Sequence, residues 1–135
     1  MAQSKQFSLS GPNIITSKAI TEADTNTTVA VINIPAKSFI PPYGVTIYIP
    51  EVFAGGTPSM DVGDGDNDDG WIDTTEITET SIGTYSGIAA AYAVAGKYYA
   101  SADTIDVVVA TGLTGGTAYV IAQIYDFSDL DLLGS

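Results

Sequence analysis

Cysteine, histidine and arginine are all missing from this chain of 135 residues, and only four lysines (Lys5, Lys18, Lys37 and Lys97) stand against 16 acidic residues. Each absence removes chemistry. Without cysteine there is neither a thiolate nucleophile nor a disulfide framework. Without histidine the usual general base and imidazole metal ligand are gone, and without arginine so is the bidentate anion clamp. A net charge of −12 with four scattered cations excludes a counterion-releasing grip on nucleic acid and disfavours anionic membrane surfaces. The longest soft apolar run, Ile88 to Ala95, is far too short to span a bilayer. Residues 1–10 carry no apolar stretch of leader type, so no targeting segment is expected.

What is present is β-forming. Hydrophobic residues make up 45% of the chain, with 14 Gly and 6 Pro as punctuation, enough for one domain with a single core. Residues 1–26 mix Ser, Thr, Gln and Asn with isolated apolar residues and no sustained period, and read as an N-terminal arm. Residues 27–126 read as the domain and 127–135 as a C-terminal tail. Thr27 to Ile34 is a β-branched strand ending at Pro35, and Tyr43 to Pro50 alternates Val45, Ile47 and Ile49 against Thr46 and Tyr48.

Ser59 to Val62, Trp71 to Thr74, Glu76 to Ser81, Ile88 to Ala95, Thr104 to Ala110 and Thr117 to Tyr125 are further strands, each bounded by turn residues. The last two, joined by Thr111 to Gly116, are expected to form an antiparallel hairpin. Within Gly87 to Ala100 a short helix competes with a strand. Glycines, three tyrosines and a length of about two turns favour the strand. The whole is expected to be all-β: an antiparallel, jelly-roll-like β-sandwich with extended arms at both ends.

One stretch concentrates chemistry. Asp61 to Asp73 holds six of the 16 acidic residues in 13 positions, a density that repels itself unless solvated or neutralised by a cation. Asp64, Asp66 and Asp68 have the alternate spacing by which a turning loop presents successive carboxylates to calcium. Counted from Asp64, however, the glycine falls at position 7 and the first glutamate, Glu76, at 13, and the flanks are strands. An EF-hand is therefore rejected, leaving a looser calcium loop or a solvated acidic turn in which Gly63, Gly65 and Gly70 adopt positive φ. No other cofactor is expected.

Gly96-Lys97 is followed by Tyr98 where a phosphate loop needs Ser or Thr, and Ser86 has no histidine to activate it. Eight tyrosines and Trp71 allow a sugar-stacking face, but tyrosines in strands more often line a core edge or a subunit contact. The tail from Asp126 alternates acids with Phe127, Leu130, Leu132 and Leu133. It either packs on its own sheet or inserts into a neighbouring subunit. Phe7, Leu9, Phe127, Leu130 and Leu132 are thus the candidate interface residues.

The succession of Asn33-Ile34-Pro35-Ala36-Lys37, a second strand, Ser59-Met60-Asp61-Val62-Gly63-Asp64, an acidic run closed by Trp71, Gly87-Ile88-Ala89-Ala90, and Lys97 to Val107 before a final hydrophobic strand resembles small β-sandwich virion proteins of tailed bacteriophages, in particular capsid decoration (cement) or minor head proteins. The resemblance covers about residues 27–126; the acidic turn is longer here, and the tail has no counterpart. It implies a non-enzymatic structural protein, made in the host cytoplasm. As homotrimers it would sit on the outer capsid surface and tie neighbouring subunits of the major capsid protein together. The alternative is a calcium- or carbohydrate-binding module of a tail or host-recognition device. A carboxylate-pair hydrolase has no sequence support.

Overall fold

The computed structural model of the chain describes residues 12–128. In order the strands are β1 (Asn13–Thr16), β2 (Ile20–Thr21), β3 (Thr28–Ile34), β4 (Ser38–Ile40), β5 (Val45–Ala54), β6 (Met60–Gly63), β7 (Gly83–Ser86), β8 (Lys97–Tyr99), β9 (Asp103–Val109) and β10 (Gly115–Asp126), with one five-residue helix, α1 (Ala91–Ala95), before β8. They form two antiparallel sheets, one of seven strands built around β10 and one of three in the order β3-β9-β6. The expected all-β sandwich is thus the observed fold.

Period-two alternation sets the two faces. Ile105, Val107 and Val109 of the small sheet and Ala118, Val120, Ala122 and Ile124 of β10 are buried, as are Val45, Ile47 and Ile49 of β5. Trp71, Ile72 and Phe53 close the same core. β5 meets β10 through two register shifts, at Gly115/Thr117 and Thr117/Tyr119. The second lies where Pro50 falls, a residue that cannot donate to a ladder and fits a bulge. On the outward face of the large sheet, Thr16, Ile121, Thr46 and Ser86 make one cross-strand row over β1, β10, β5 and β7.

Several expectations are corrected. Residues 13–21 are not a free arm: Asn13–Thr16 pairs with Ile121–Ile124 of β10, and Ile20 is fully buried against Ala118. Four paired residues are too few to show a period, so the sequence hides this strand. Thr104–Ala110 and Thr117–Tyr125 do not form a hairpin; β9 and β10 lie in opposite sheets, and the intervening loop crosses the core edge with Leu113 buried. Both strands alternate because both face one core, not because they pair.

Ile88–Ala95 is not a strand. Its second half is α1, whose Ala93 alone is buried. Trp71–Thr74 contributes only a bridge between Ile72 and Val62, and the Glu76–Ser81 region begins with a 3-10 turn at Thr74–Glu76.

The register also fixes one pole of the sandwich. Asn13 pairs with Ile124, Ser38 with both Asp126 and Tyr99, and Ile34 with Asp103. The described chain therefore begins and ends at the pole that carries the acidic loop and the turn before β9.

Candidate functional site

The acidic loop leaves β6 at Gly63, and Asp64, fully buried, turns inward. Its Oδ1 accepts the N–H groups of Asp66 (2.9 Å) and Asn67 (3.0 Å), an Asx turn that folds the loop on itself. Its Oδ2 accepts from the Tyr99 hydroxyl at 2.8 Å and the Lys97 ammonium at 2.7 Å. Tyr99 in turn accepts the Trp71 indole N–H at 3.1 Å. The Tyr92 hydroxyl lies 3.0 Å from Lys97 Nζ, and Nζ sits over the Tyr92 and Tyr99 rings at 4.2 and 4.7 Å. A loop, a helix and a strand thus meet on one carboxylate.

A buried carboxylate costs several kcal/mol of desolvation, and only a full set of donors offsets it. Burial pulls the Asp64 pKa up. The bonds from Lys97, Tyr99 and the two backbone N–H groups outweigh it and hold the carboxyl below its ordinary 3.8. Lys97 is opposed by desolvation too, yet the Asp64 carboxylate and the Tyr92 hydroxyl push its pKa up. Both partners remain charged at neutral pH.

The glycines serve close approach rather than positive φ. None of Gly63, Gly65 and Gly70 is among the left-handed residues, contrary to the sequence expectation. A Cβ on Gly63 would lie 1.9 Å from the Asn67 carbonyl oxygen, and one on Gly70 2.3 Å from the Tyr92 ring. The acidic loop can close, and Tyr92 can pack against it, only because those side chains are missing.

Of the sequence's calcium candidates, Asp64 and Asp66 come together and Asp68 does not join them. The carboxylates that converge among the described residues are Asp64, Asp66 and Asp103, with oxygens mutually within 4.8 Å. Lys97 Nζ reaches two of them, lying 3.4 Å from Asp66 Oδ2, so a positive charge already stands among them. Sequence reasoning missed Tyr92, Lys97, Tyr99 and Asp103. The available signal was Lys97 itself, one of four cations in the chain and followed directly by two tyrosines.

The remaining loop acids are engaged in local structure. Asp73 and Glu76 form a capping box around the 3-10 turn at Thr74–Glu76. Glu76 also accepts the N–H groups of Ile88 and Ala89, tying the segment before α1 to the loop. The nearby Asp73 carboxyl raises the Asp69 pKa, because a proton held between the two is favoured, while the Thr75 N–H and hydroxyl lower that of Asp73. Burial raises Asp61 and Asp106 despite donors from Thr74 and Thr104, with neighbouring carboxylates adding to the rise.

Of the candidate interface residues, Phe127 is half-buried, stacks on Tyr125 with centroids 6.3 Å apart and donates its N–H to the Lys37 carbonyl. Phe7, Leu9, Leu130 and Leu132 lie outside the described residues.

No family model matches the chain, and no curated protein matches it in sequence. Solved structures do. A chain of the cyanophage Pam1 capsid asymmetric unit matches with a TM-score of 0.63 at 15% identity, over 93% of this chain and 94% of that one. A chain of the capsid of Ralstonia phage GP4 matches with a TM-score of 0.53, also at 15% identity, over 92% and 91%. The two-sheet sandwich is thus a fold shared, nearly end to end, with chains of two phage capsids.

Proposed function

We propose that this chain is a structural protein of a phage virion: a decoration protein that seats, as a homotrimer, on the outer surface of the head and bridges neighbouring subunits of the major capsid protein. The observation that carries this reading is the likeness to chains of two phage capsids over more than nine-tenths of the chain. The chemistry of the chain agrees. Its most elaborate polar cluster, around Asp64, spends every donor on holding a loop in place. A chain without His, Cys or Arg has little from which to build a catalytic centre.

Attachment falls to the acidic pole. Asp64, Asp66, Asp68, Asp103 and Asp126 lie there with Lys37 and Lys97, and the interface residues Phe7, Leu9, Leu130 and Leu132 of the terminal segments are proposed to add to the contact. Net negative charge draws this end to basic patches on a shell and repels it from packaged DNA, which favours the outer face. In this reading the acidic loop is a lysine-neutralised structural element rather than a calcium site.

The test is co-sedimentation of the purified chain with heads of the same virus that lack it. Saturable binding that weakens with salt and with removal of residues 1–11 or 129–135, while Asp66→Ala with Asp68→Ala largely retains it, is the expected result. Absence of binding to heads would overturn the reading.

A further inference from the structure

We infer that the outward face of the large sheet, on β1, β10, β5 and β7, is the surface on which a second copy of this chain seats. This rests on the oligomer proposed above and names its contact. Beside the row Thr16, Ile121, Thr46 and Ser86 runs a second of Tyr119, Tyr48 and Thr84, and Ile14 stands opposite Gln123 on the β1 side. No residue of these rows is charged. Glu51 stands one register step beyond Tyr48, where it accepts the Thr117 hydroxyl. Ile14 is 69% exposed and Tyr48 39%.

Charge identifies the occupant. Any second copy brings the same net −12, and apposing like charges costs several kcal/mol at a contact. The outward face of the small sheet carries Asp61 and Asp106, and the pole carries the acidic loop, so neither can be brought against a copy without confronting carboxylates. The large sheet offers two adjacent cross-strand rows without a charge. Its tyrosines, isoleucines and threonines have the composition of an interface centre, from which charged residues are depleted. The Thr46 and Ser86 hydroxyls are bonded to each other at 2.9 Å, which lowers the cost of covering them. Self-association through this face leaves the acidic pole free for a basic partner.

The experiment is light scattering after size exclusion on the full chain over a range of concentrations, at low and high salt, with Tyr48→Glu and Ile14→Glu. Asn33→Glu serves as control, since Asn33 is exposed and lies on β3 in the other sheet, and thermal melting verifies folding. The expected result is an oligomer whose mass is unaffected by salt. Either face substitution should weaken its association more than about tenfold, with the control unchanged. A monomer at every concentration overturns the inference, as does an oligomer indifferent to both face substitutions. An oligomer lost only when residues 1–11 are removed overturns it too, in favour of contact through the terminal segment. Head binding is read separately: monomers that bind heads refute this inference and the homotrimer but leave the virion reading standing, and oligomers that do not bind them refute the virion reading.

Discussion

Lys97 is the counter-ion of Asp64: its Nζ lies 2.7 Å from an oxygen of a carboxylate with no solvent exposure, while the lysine side chain is 20% exposed. The asymmetry decides what substitution does. Lys97→Met leaves a buried carboxylate without its cation and is expected to cost about 3 kcal/mol, the low end for breaking a buried pair, because water can reach the ammonium side. Asp64→Asn with Lys97→Met should cost less than the sum of the single changes. Urea unfolding of the four proteins of this cycle reads both quantities, and strict additivity would mean that the pair is not coupled.

Stability should peak in mild acid. Asp61 and Asp106 have raised pKa values, mainly from burial. Their penalty is complete above those folded values and is relieved as pH falls through them toward 3.8. Asp64 works in the opposite sense: its folded pKa is lowered, so its contribution is complete above 3.8 and is lost as pH falls below it. At the alkaline end the Lys97 pKa is raised above 10.5, so its contribution is intact up to that pH and lost only above it. Melting temperatures across this range test the profile; a maximum at neutral pH would contradict it.

Gly70→Ala forces a Cβ to within 2.3 Å of the Tyr92 ring. The ring must move, and with it its edge contact with Trp71, whose centroid lies 5.6 Å away. A loss of about 1–3 kcal/mol is expected, the range for overpacking. A shift in the emission of Trp71, the chain's one tryptophan, should accompany it. An unchanged melt and spectrum would show that Tyr92 does not hold the loop.

Calcium added in excess, followed by chelator, should change neither the melting temperature nor Trp71 emission. The carboxylates that converge around Asp64 already have the Lys97 ammonium among them, and a second cation there would meet its charge. A rise in melting temperature with calcium, reversed by chelator, would restore the acidic loop as a cation site.

Alternation made β5, β9 and β10 legible, because each buries every second residue over at least five positions, and β-branched residues did the same for β3. Pairing was not legible: Ile105 and Val120 alternate alike whether their strands are neighbours or face each other across the core. β1 was too short to betray itself, and α1, with one buried residue, has no apolar stripe. In the acidic loop the density of Asp was visible and suggested an external cation. The internal one came from Lys97, 33 residues further along, a separation that only the fold closes.

The most direct test of the virion assignment is the difference between cryo-electron microscopy maps of heads assembled with and without this chain. The account predicts additional density on the outer surface, fitted by the two-sheet sandwich with its acidic pole toward the shell and in contact with more than one capsid subunit. Density confined to the interior or the tail, or no difference between the maps, would contradict it.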